Sequence, residues 1–422
     1  MNHERIAQAI ADLDAWLETM RQPCGYGGPV AHWWQSRFQY TGPGLDWRYE
    51  GILIGYTTLV EKQPDDARWR ERVNTAARDL IEGQRPDGSY LASRFEINPA
   101  TLGTPHEAAA TLGLLSAIPL LEERAAFVEV AKKNLRRLVD LLWDGQGFND
   151  RAGGAERVPN KLATFASAFI HVAEATGDDS WLAYARSCLD DVVALQVRSG
   201  PFAGAVHQIG RNDDAGDGRF FPFYNARCVP PLLHGASALN APEYEDAAEA
   251  IGTFLDDAVD PDGAWPQVIY GRGRRSSPPR WLAGVADILM AQHRLKRPFP
   301  AGALARLLDG QLPSGGFRTA EGFGARTGRD SSAPPDLRDV IPVVGWNDKV
   351  LAFLAGLLEH PIVVPQPSVR PYAQTVRVHQ LQGSFHEDAT QMQVVVPVDR
   401  TEYLFAKAEP WASICGPTVN RR

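Results

Sequence analysis

Cysteine is scarce. Four residues in 422, Cys24, Cys188, Cys228 and Cys415, lie far apart and form no CxxC pair. Disulfide frameworks and zinc clusters need closely spaced thiols, so this pattern points to reduced, buried side chains. Positive charge is not in surplus either. The chain has 43 basic and 51 acidic residues and a formal net charge of −8. Non-specific nucleic-acid binding rests on basic surface that neutralises phosphates, and this balance speaks against it. No apolar run reaches the length of a membrane-spanning helix, about 20 residues. Residues 1–20 carry charges throughout, which fits an amphipathic helix and not a signal peptide. The expectation is a cytoplasmic protein with no transmembrane segment. A Ser–His–Asp signature, a P-loop and a GxGxxG after a strand are also missing. No cofactor and no metal is expected.

What the chain does have is repetition. The stretch 80–90, LIEGQRPDGSY, ends a helical run with Gln84, makes a Gly-rich turn and closes on an aromatic residue. Its form returns at MRQPCGYGG (20–28), WDGQGF (143–148), LQVRSGPFAG (195–204), VDPDGAW (259–265) and LDGQLPSGGF (308–317). The leading positions are 22, 84, 146, 196, 260 and 311, with Asp260 in place of Gln, so the spacing is 50 to 64 residues. A near-fixed period of this kind marks one large repeated unit, not several independent domains.

Between the turns two kinds of helix alternate. Segments 68–83, 122–143, 180–196 and 242–259 place apolar residues at three- and four-residue steps with charges opposite, as outer helices do. Segments 46–61, 104–121, 159–176, 223–240, 279–294 and 346–359 are rich in Ala and Gly and apolar on nearly every side, as fully buried helices are. Proline stands at or near several of their starts, where its fixed φ costs nothing. Six inner and six outer helices predict an all-α (α/α)6 toroid over residues 1–360. Beyond it, 361–422 reads as a Pro-rich linker and a small β appendage, with strands at 375–381, 391–398 and 402–406.

The recurring turn resembles the QW motif of squalene–hopene cyclases and of the wider terpenoid cyclase and protein prenyltransferase toroids, over about residues 3–360. The resemblance implies the toroid and, with it, an isoprenoid substrate with a charged head. The chemistry-bearing motifs depart from that pattern. Where terpene cyclases of the proton-initiated class carry a DxDD acid on an inner helix, this chain has Phe223, Tyr224, Asn225 and Ala226. The nearest acidic cluster, Asp213, Asp214 and Asp217, lies in a Gly-flanked loop. The prenyltransferase zinc triad has no counterpart, because Cys228 and His234 are six apart on one helix, which is not ligand spacing.

In a toroid the N-terminal ends of the inner helices converge on one mouth, and the candidate site is read from them. Acid–base candidates are Asp46, Glu50, His106, Glu107 and Asp348. Asp46 and Glu50 are four apart, so their carboxylates share a helix face and repulsion is expected to raise one pKa. Substrate-binding candidates are Trp33, Trp34, Arg48, Lys161, Tyr224, Asn225, Arg227, Arg280, Trp281, Trp346 and Lys349. Helix capping accounts for residues such as Asp46 or Asn160. It does not account for Arg48, Lys161, Arg227, Arg280 and Lys349, since cations oppose the macrodipole at a helix start. Together they are expected to hold an anionic group. Aromatic faces serve a carbocation or a sugar ring equally well. Three readings stay open here: a cyclase- or prenyltransferase-like enzyme, a carbohydrate-active lyase or hydrolase on uronate-bearing sugars, and a non-catalytic binding toroid. The expected partner is a small-molecule or oligosaccharide substrate with an anionic group, and no nucleic acid.

Overall fold

The structure, a computed structural model, describes residues 3–22, 25–30, 39–90, 103–211, 216–323, 333–359, 362–378, 381–398 and 401–407. Its helices in chain order are α1 (His3–Thr19), α2 (Arg48–Lys62), α3 (Ala67–Glu82), α4 (Ala108–Ala117), α5 (Arg124–Leu142), α6 (Pro159–Thr176) and α7 (Ser180–Ala194). They continue as α8 (Pro222–Ala226), α9 (Val229–Ala238), α10 (Pro242–Asp257), α11 (Val285–Arg294), α12 (Ala303–Asp309), α13 (Leu337–Val340) and α14 (Val344–Leu357). Helices α2, α4, α6, α9, α11 and α14 form the inner ring. Each packs on the next, and α14 closes on α2. Outer helices α3, α5, α7, α10, α12 and α1 each back one of them. The (α/α)6 toroid is therefore present.

Sequence pattern explains the two layers. In α3 only Trp69, Val73, Ala76, Ala77 and Leu80 are buried, a single stripe at helical spacing. In α4 every residue but Ser116 is buried. Small side chains set how near the inner helices come. A Cβ on Gly51 of α2 would lie 2.4 Å from the carbonyl oxygen of Asp348 on α14, so the ring closes there only over glycine.

The repeated turn has a mechanical role. In three copies its glutamine crosses to the next outer helix: Gln84 Nε2 donates to the Val130 carbonyl (2.8 Å), Gln196 Nε2 to Ala247 (2.9 Å) and Gln311 Nε2 to Ala9 (2.9 Å). The turn glycine permits the approach. Gly204 has φ +88°, and a Cβ there would sit 2.0 Å from the Ala250 carbonyl oxygen of α10. The closing aromatic position pairs back across the turn, as in Gln84 with Tyr90 and Gln311 with Phe317. The bracing is not universal. Gln146 is exposed, and Asp260 instead accepts from Arg275, Ser277 and Arg280.

Three expected elements differ. The fourth inner helix is broken into α8 and α9, because Pro230 and Pro231 have no N–H to carry the ladder through. The fifth begins at Val285 and not at 279, since Arg280–Trp281 is extended and pairs with Ala320–Glu321. The C-terminal sheet has four antiparallel strands, Tyr372–Val378, Leu381–Glu387, Gln391–Val396 and Thr401–Ala406, in sequence order. The unexpected strand, LQGSFHE, has no β-branched residue and gains its conformation by pairing on both edges. It also ends on Glu387, a fully buried carboxylate that accepts from Trp16 Nε1 of α1 (2.8 Å), Ser314 Oγ (2.6 Å) and Lys407 Nζ (2.9 Å). That cluster ties the sheet to the toroid. Among the described residues no helix is long and apolar enough to cross a membrane.

Candidate functional site

The inner-helix N-termini surround a cavity of about 370 Å³. One wall is aromatic: Phe221, Phe223, Tyr224, Trp281 and Trp346. It is cohesive, with Trp281 and Trp346 stacked at 5.2 Å between ring centroids and Phe223 edge-on to Trp346 at 5.4 Å. The rest is polar, with His106, Asp150, Lys161, Arg227, Asp287 and Lys349 on its surface. Trp47, just before α2, stacks on His106 at 6.0 Å.

Of the residues singled out from sequence, His106, Lys161, Tyr224, Arg227, Trp281, Trp346 and Lys349 line this cavity. Glu50 and Asp348 stand behind the wall, bonded to its cations. Trp33 and Trp34, with Asp213 and Asp214, lie outside the described residues.

Five others are drawn elsewhere. Asp46 and Arg48 neutralise each other in a buried pair at the start of α2 (2.5 Å). Glu107 faces back into the fold, where it accepts from the Gly103 amide, Asn134 and Arg137. Asn225 serves the scaffold: its Oδ1 accepts from the Val206 amide and its Nδ2 donates to the Val206 carbonyl. Arg280 is bound to Asp260 and Asp262 in the preceding turn. The expected ring of uncompensated cations is thereby overturned. Lys161 pairs with Asp150 (2.6 Å), Arg227 with Glu50 (2.7 Å), and Lys349 with Glu50 and Asp348 (both 2.8 Å). A buried cation is stable only when paired, and each of the five has found its carboxylate.

The expected Asp46–Glu50 repulsion also fails. Burial alone would raise the Glu50 pKa, but Arg227 and Lys349 outweigh it and hold the carboxyl at about 2. The raised carboxylates are others. Burial lifts Asp348 to about 6 against the pull of Lys349, and burial raises Asp287 against Arg227. His106 is held well below the ordinary histidine range by burial and by the Arg227 and Lys161 charges, so its imidazole is neutral near pH 7. Asp287 is the residue that sequence reading missed. Its signal is faint, a single acid inside the apolar run GVADILM at the start of α11.

Five cavity-lining residues carry a buried polar atom with no hydrogen-bond partner among the described residues: Trp47 Nε1, His106 Nδ1, Gln208 Oε1, Trp281 Nε1 and Asp287 Oδ2. An unsatisfied buried polar atom costs about 1–3 kcal/mol, so five around one cavity need an explanation. No group of three or more metal-ligating side chains occurs among the described residues. Cys228 Sγ instead contacts the Tyr224 carbonyl, and His234 pairs with Glu174.

No family model and no curated protein matches the chain. Solved structures do. A sugar epimerase from a ruminal bacterium superposes with a TM-score of 0.61 at 14% identity, covering 86% of this chain and 100% of that one. A D-mannose isomerase gives 0.61 at 12%, covering 85% and 98%. An unsaturated glucuronyl hydrolase specific for heparin gives 0.60 at 11%, covering 85% and 98%. At such identities the likeness establishes the fold. These neighbours are carbohydrate-active α/α toroids, so the resemblance to terpenoid cyclases extends to the architecture only.

Proposed function

We propose that the protein is a sugar-converting enzyme that holds a neutral sugar in the toroid cavity and catalyses proton transfer next to its carbonyl carbon. The observation that carries this reading is that five residues lining the cavity each hold a buried polar atom without a hydrogen-bond partner among the described residues. A polyhydroxylated ligand offers donors and acceptors to side chains of this kind, whereas an isoprenoid chain offers none. The aromatic wall adds a flat apolar surface for the C–H face of a sugar ring. Neutrality of the substrate follows from the pairing of Lys161, Arg227 and Lys349, which leaves them no uncompensated charge for a uronate. The sugar-acting toroids of similar fold support the same class of substrate.

Proton abstraction beside a carbonyl needs a base, an acid and a means of stabilising an enolate oxygen. His106 is unprotonated near neutral pH and suits the first role. Asp287, with its raised pKa, suits the second. Arg227 lines the cavity and has N–H groups beyond the two that bond Glu50 and Asp287, so it suits the third role as a hydrogen-bond donor. Atoms balance within the open-chain sugar: the proton on the carbon beside the carbonyl passes to His106. A proton returned to the opposite face of that carbon gives the epimer. One returned to the former carbonyl carbon, with the neighbouring hydroxyl proton passing to the former carbonyl oxygen, gives the keto–aldo isomer.

The test is a melting-shift screen with neutral aldoses, disaccharides and glucuronate, followed by incubation of each hit in D2O. Proton NMR should show deuterium entering at the carbon beside the anomeric centre, with loss of exchange in His106→Ala and Asp287→Asn. New reducing ends would make the reaction a hydrolysis. If no sugar shifts the melt, the cavity is not a sugar site.

A further inference from the structure

At and behind the cavity wall five charged side chains lie in series. Asp287 Oδ1 is 3.4 Å from Arg227, Arg227 is 2.7 Å from Glu50 Oε2, Glu50 is 2.8 Å from Lys349 Nζ, and Lys349 is 2.8 Å from Asp348 Oδ2. All are nearly inaccessible, with side-chain exposures of 12% for Asp287, 9% for Arg227, 13% for Glu50, 7% for Lys349 and 0% for Asp348. The chain alternates in sign and is unbalanced: two cations serve three carboxylates. Fully ionised, it carries one surplus negative charge in a desolvated place, which is costly.

One bound proton removes the imbalance, and the geometry limits where it sits. Glu50 lies between both cations and gains nothing from protonation. The terminal carboxylates differ from it, since each keeps one oxygen without a partner: Asp287 Oδ2 in the cavity wall and Asp348 Oδ1 in the interior. Either accepts a proton without breaking a bond of the network. The ring makes this possible because Asp348 belongs to α14, Glu50 to α2 and Asp287 to α11, three inner helices that converge at this point. The other groups facing the network do not supply the missing charge. Lys161 is committed to Asp150, His106 is neutral, Tyr224 is held protonated by burial, and the Gly51 amide donates to Asp348 Oδ2 at 3.1 Å.

We infer that Asp287 and Asp348 share a single proton across the Arg227–Glu50–Lys349 bridge, so that a carboxylate beyond reach of the substrate sets the charge of one that lines the cavity. The raised pKa of both ends agrees with this arrangement. Asp348 is then a positioning residue: while ionised, its negative charge favours the proton on Asp287. The role deepens the acid–base reading of the cavity and rests on it for its catalytic meaning. The shared proton itself is measurable without substrate.

The experiment is a carboxyl-carbon NMR titration of the full chain labelled at aspartate, for wild type, Asp287→Asn and Asp348→Asn, with each signal assigned by its loss. In wild type the two carboxyls should titrate together in steps that belong to the pair. Removing Asp348 should shift the Asp287 midpoint down by about one pH unit or more, the scale on which coupled sites become distinct. Removing Asp287 should shift Asp348 by the same amount, because coupling is reciprocal. If Asp348→Asn does not fold, the Asp287→Asn arm alone carries the test. Unchanged midpoints, or both groups ionised down to the ordinary range of about pH 4, overturn the inference. Once a substrate is known, the pH profile of kcat/KM in Asp348→Asn should move with the Asp287 midpoint. A role in structure alone would lower the rate and leave the profile in place. Failure of every sugar to react, with the coupled titration intact, would refute the enzymatic reading and not the shared proton.

Discussion

Replacing Asn347 by alanine tests how the toroid holds its turns. Asn347 is fully buried on α14. Its Oδ1 accepts from the Phe317 amide (2.6 Å), and its Nδ2 donates to the carbonyls of Phe317 (3.0 Å) and Val343 (2.9 Å). It thus mimics a strand partner for the residue that closes the sixth turn. Alanine leaves the Phe317 N–H and C=O without that partner, while the Val343 carbonyl keeps its helical bond to the Asn347 amide. Two buried groups at about 1–3 kcal/mol each predict a loss of about 2–6 kcal/mol. An unfolding entropy of about 2.1 cal/mol/K per residue over 422 residues amounts to about 0.9 kcal/mol/K. The melting temperature should therefore fall by about 2–7 °C in scanning calorimetry. Asn347→Asp keeps the acceptor but sets a carboxylate against two carbonyls, and it should fall at least as far. A melt within about 1 °C of wild type for Asn347→Ala, or an unharmed Asn347→Asp, would refute the reasoning.

Two further outcomes follow from other residues. Gly200 and Gly204 share one turn and have φ of +86° and +88°, but a Cβ on Gly200 meets no atom within 4 Å while one on Gly204 meets the Ala250 carbonyl at 2.0 Å. Denaturant titration should show Gly200→Ala costing about 1–2 kcal/mol for the left-handed backbone alone, and Gly204→Ala clearly more. Asp339, buried and bonded to the Phe323 amide, has its pKa raised to about 6, chiefly by burial. A raised carboxyl binds its proton more tightly when folded, so its contribution is present below about pH 4 and is lost as pH rises through 6. Asp339→Asn keeps an acceptor for Phe323, and its melting temperature relative to wild type should climb between pH 4 and 6. A flat difference over that window would contradict the assignment.

The architecture was legible because it is periodic. Buried helices, amphipathic helices and the Gln–Gly turn each leave a local signature, and Gln84 and Gln311 bond as that signature demands. The site was half legible. Inner-helix starts pointed to His106, Lys161, Tyr224, Arg227 and Lys349, which line one cavity, but their charge states depend on partners far away in sequence. Arg227 meets Glu50 across 177 positions and Lys349 meets it across 299. No spacing rule reveals such pairs, so a ring of neutralised cations looked like an anion trap. Asn225 misled for another reason. A polar residue at a helix start has the same appearance whether it serves a ligand or, as here, the backbone of Val206.

Gln311 of the last turn bonds Ala9 of the first helix, so segments 302 positions apart seal the ring. At about 5–20 residues per second on the ribosome, α1 waits about 15–60 s for that partner to be made. Neighbouring helices pair as they emerge, and Tyr56 and Arg72 can hold Asp14 of α1 early. The apolar stripe of Ile6, Ile10, Leu13 and Leu17, wholly buried in the folded protein, lacks its α14 cover until residues 344–357 have been made. A nascent chain of this kind presents a chaperone with a fixed, early and long-lived binding segment. Relocating α1 to follow residue 359 by circular permutation would shorten the wait, and the yield of folded protein from cell-free synthesis without chaperones would report the gain.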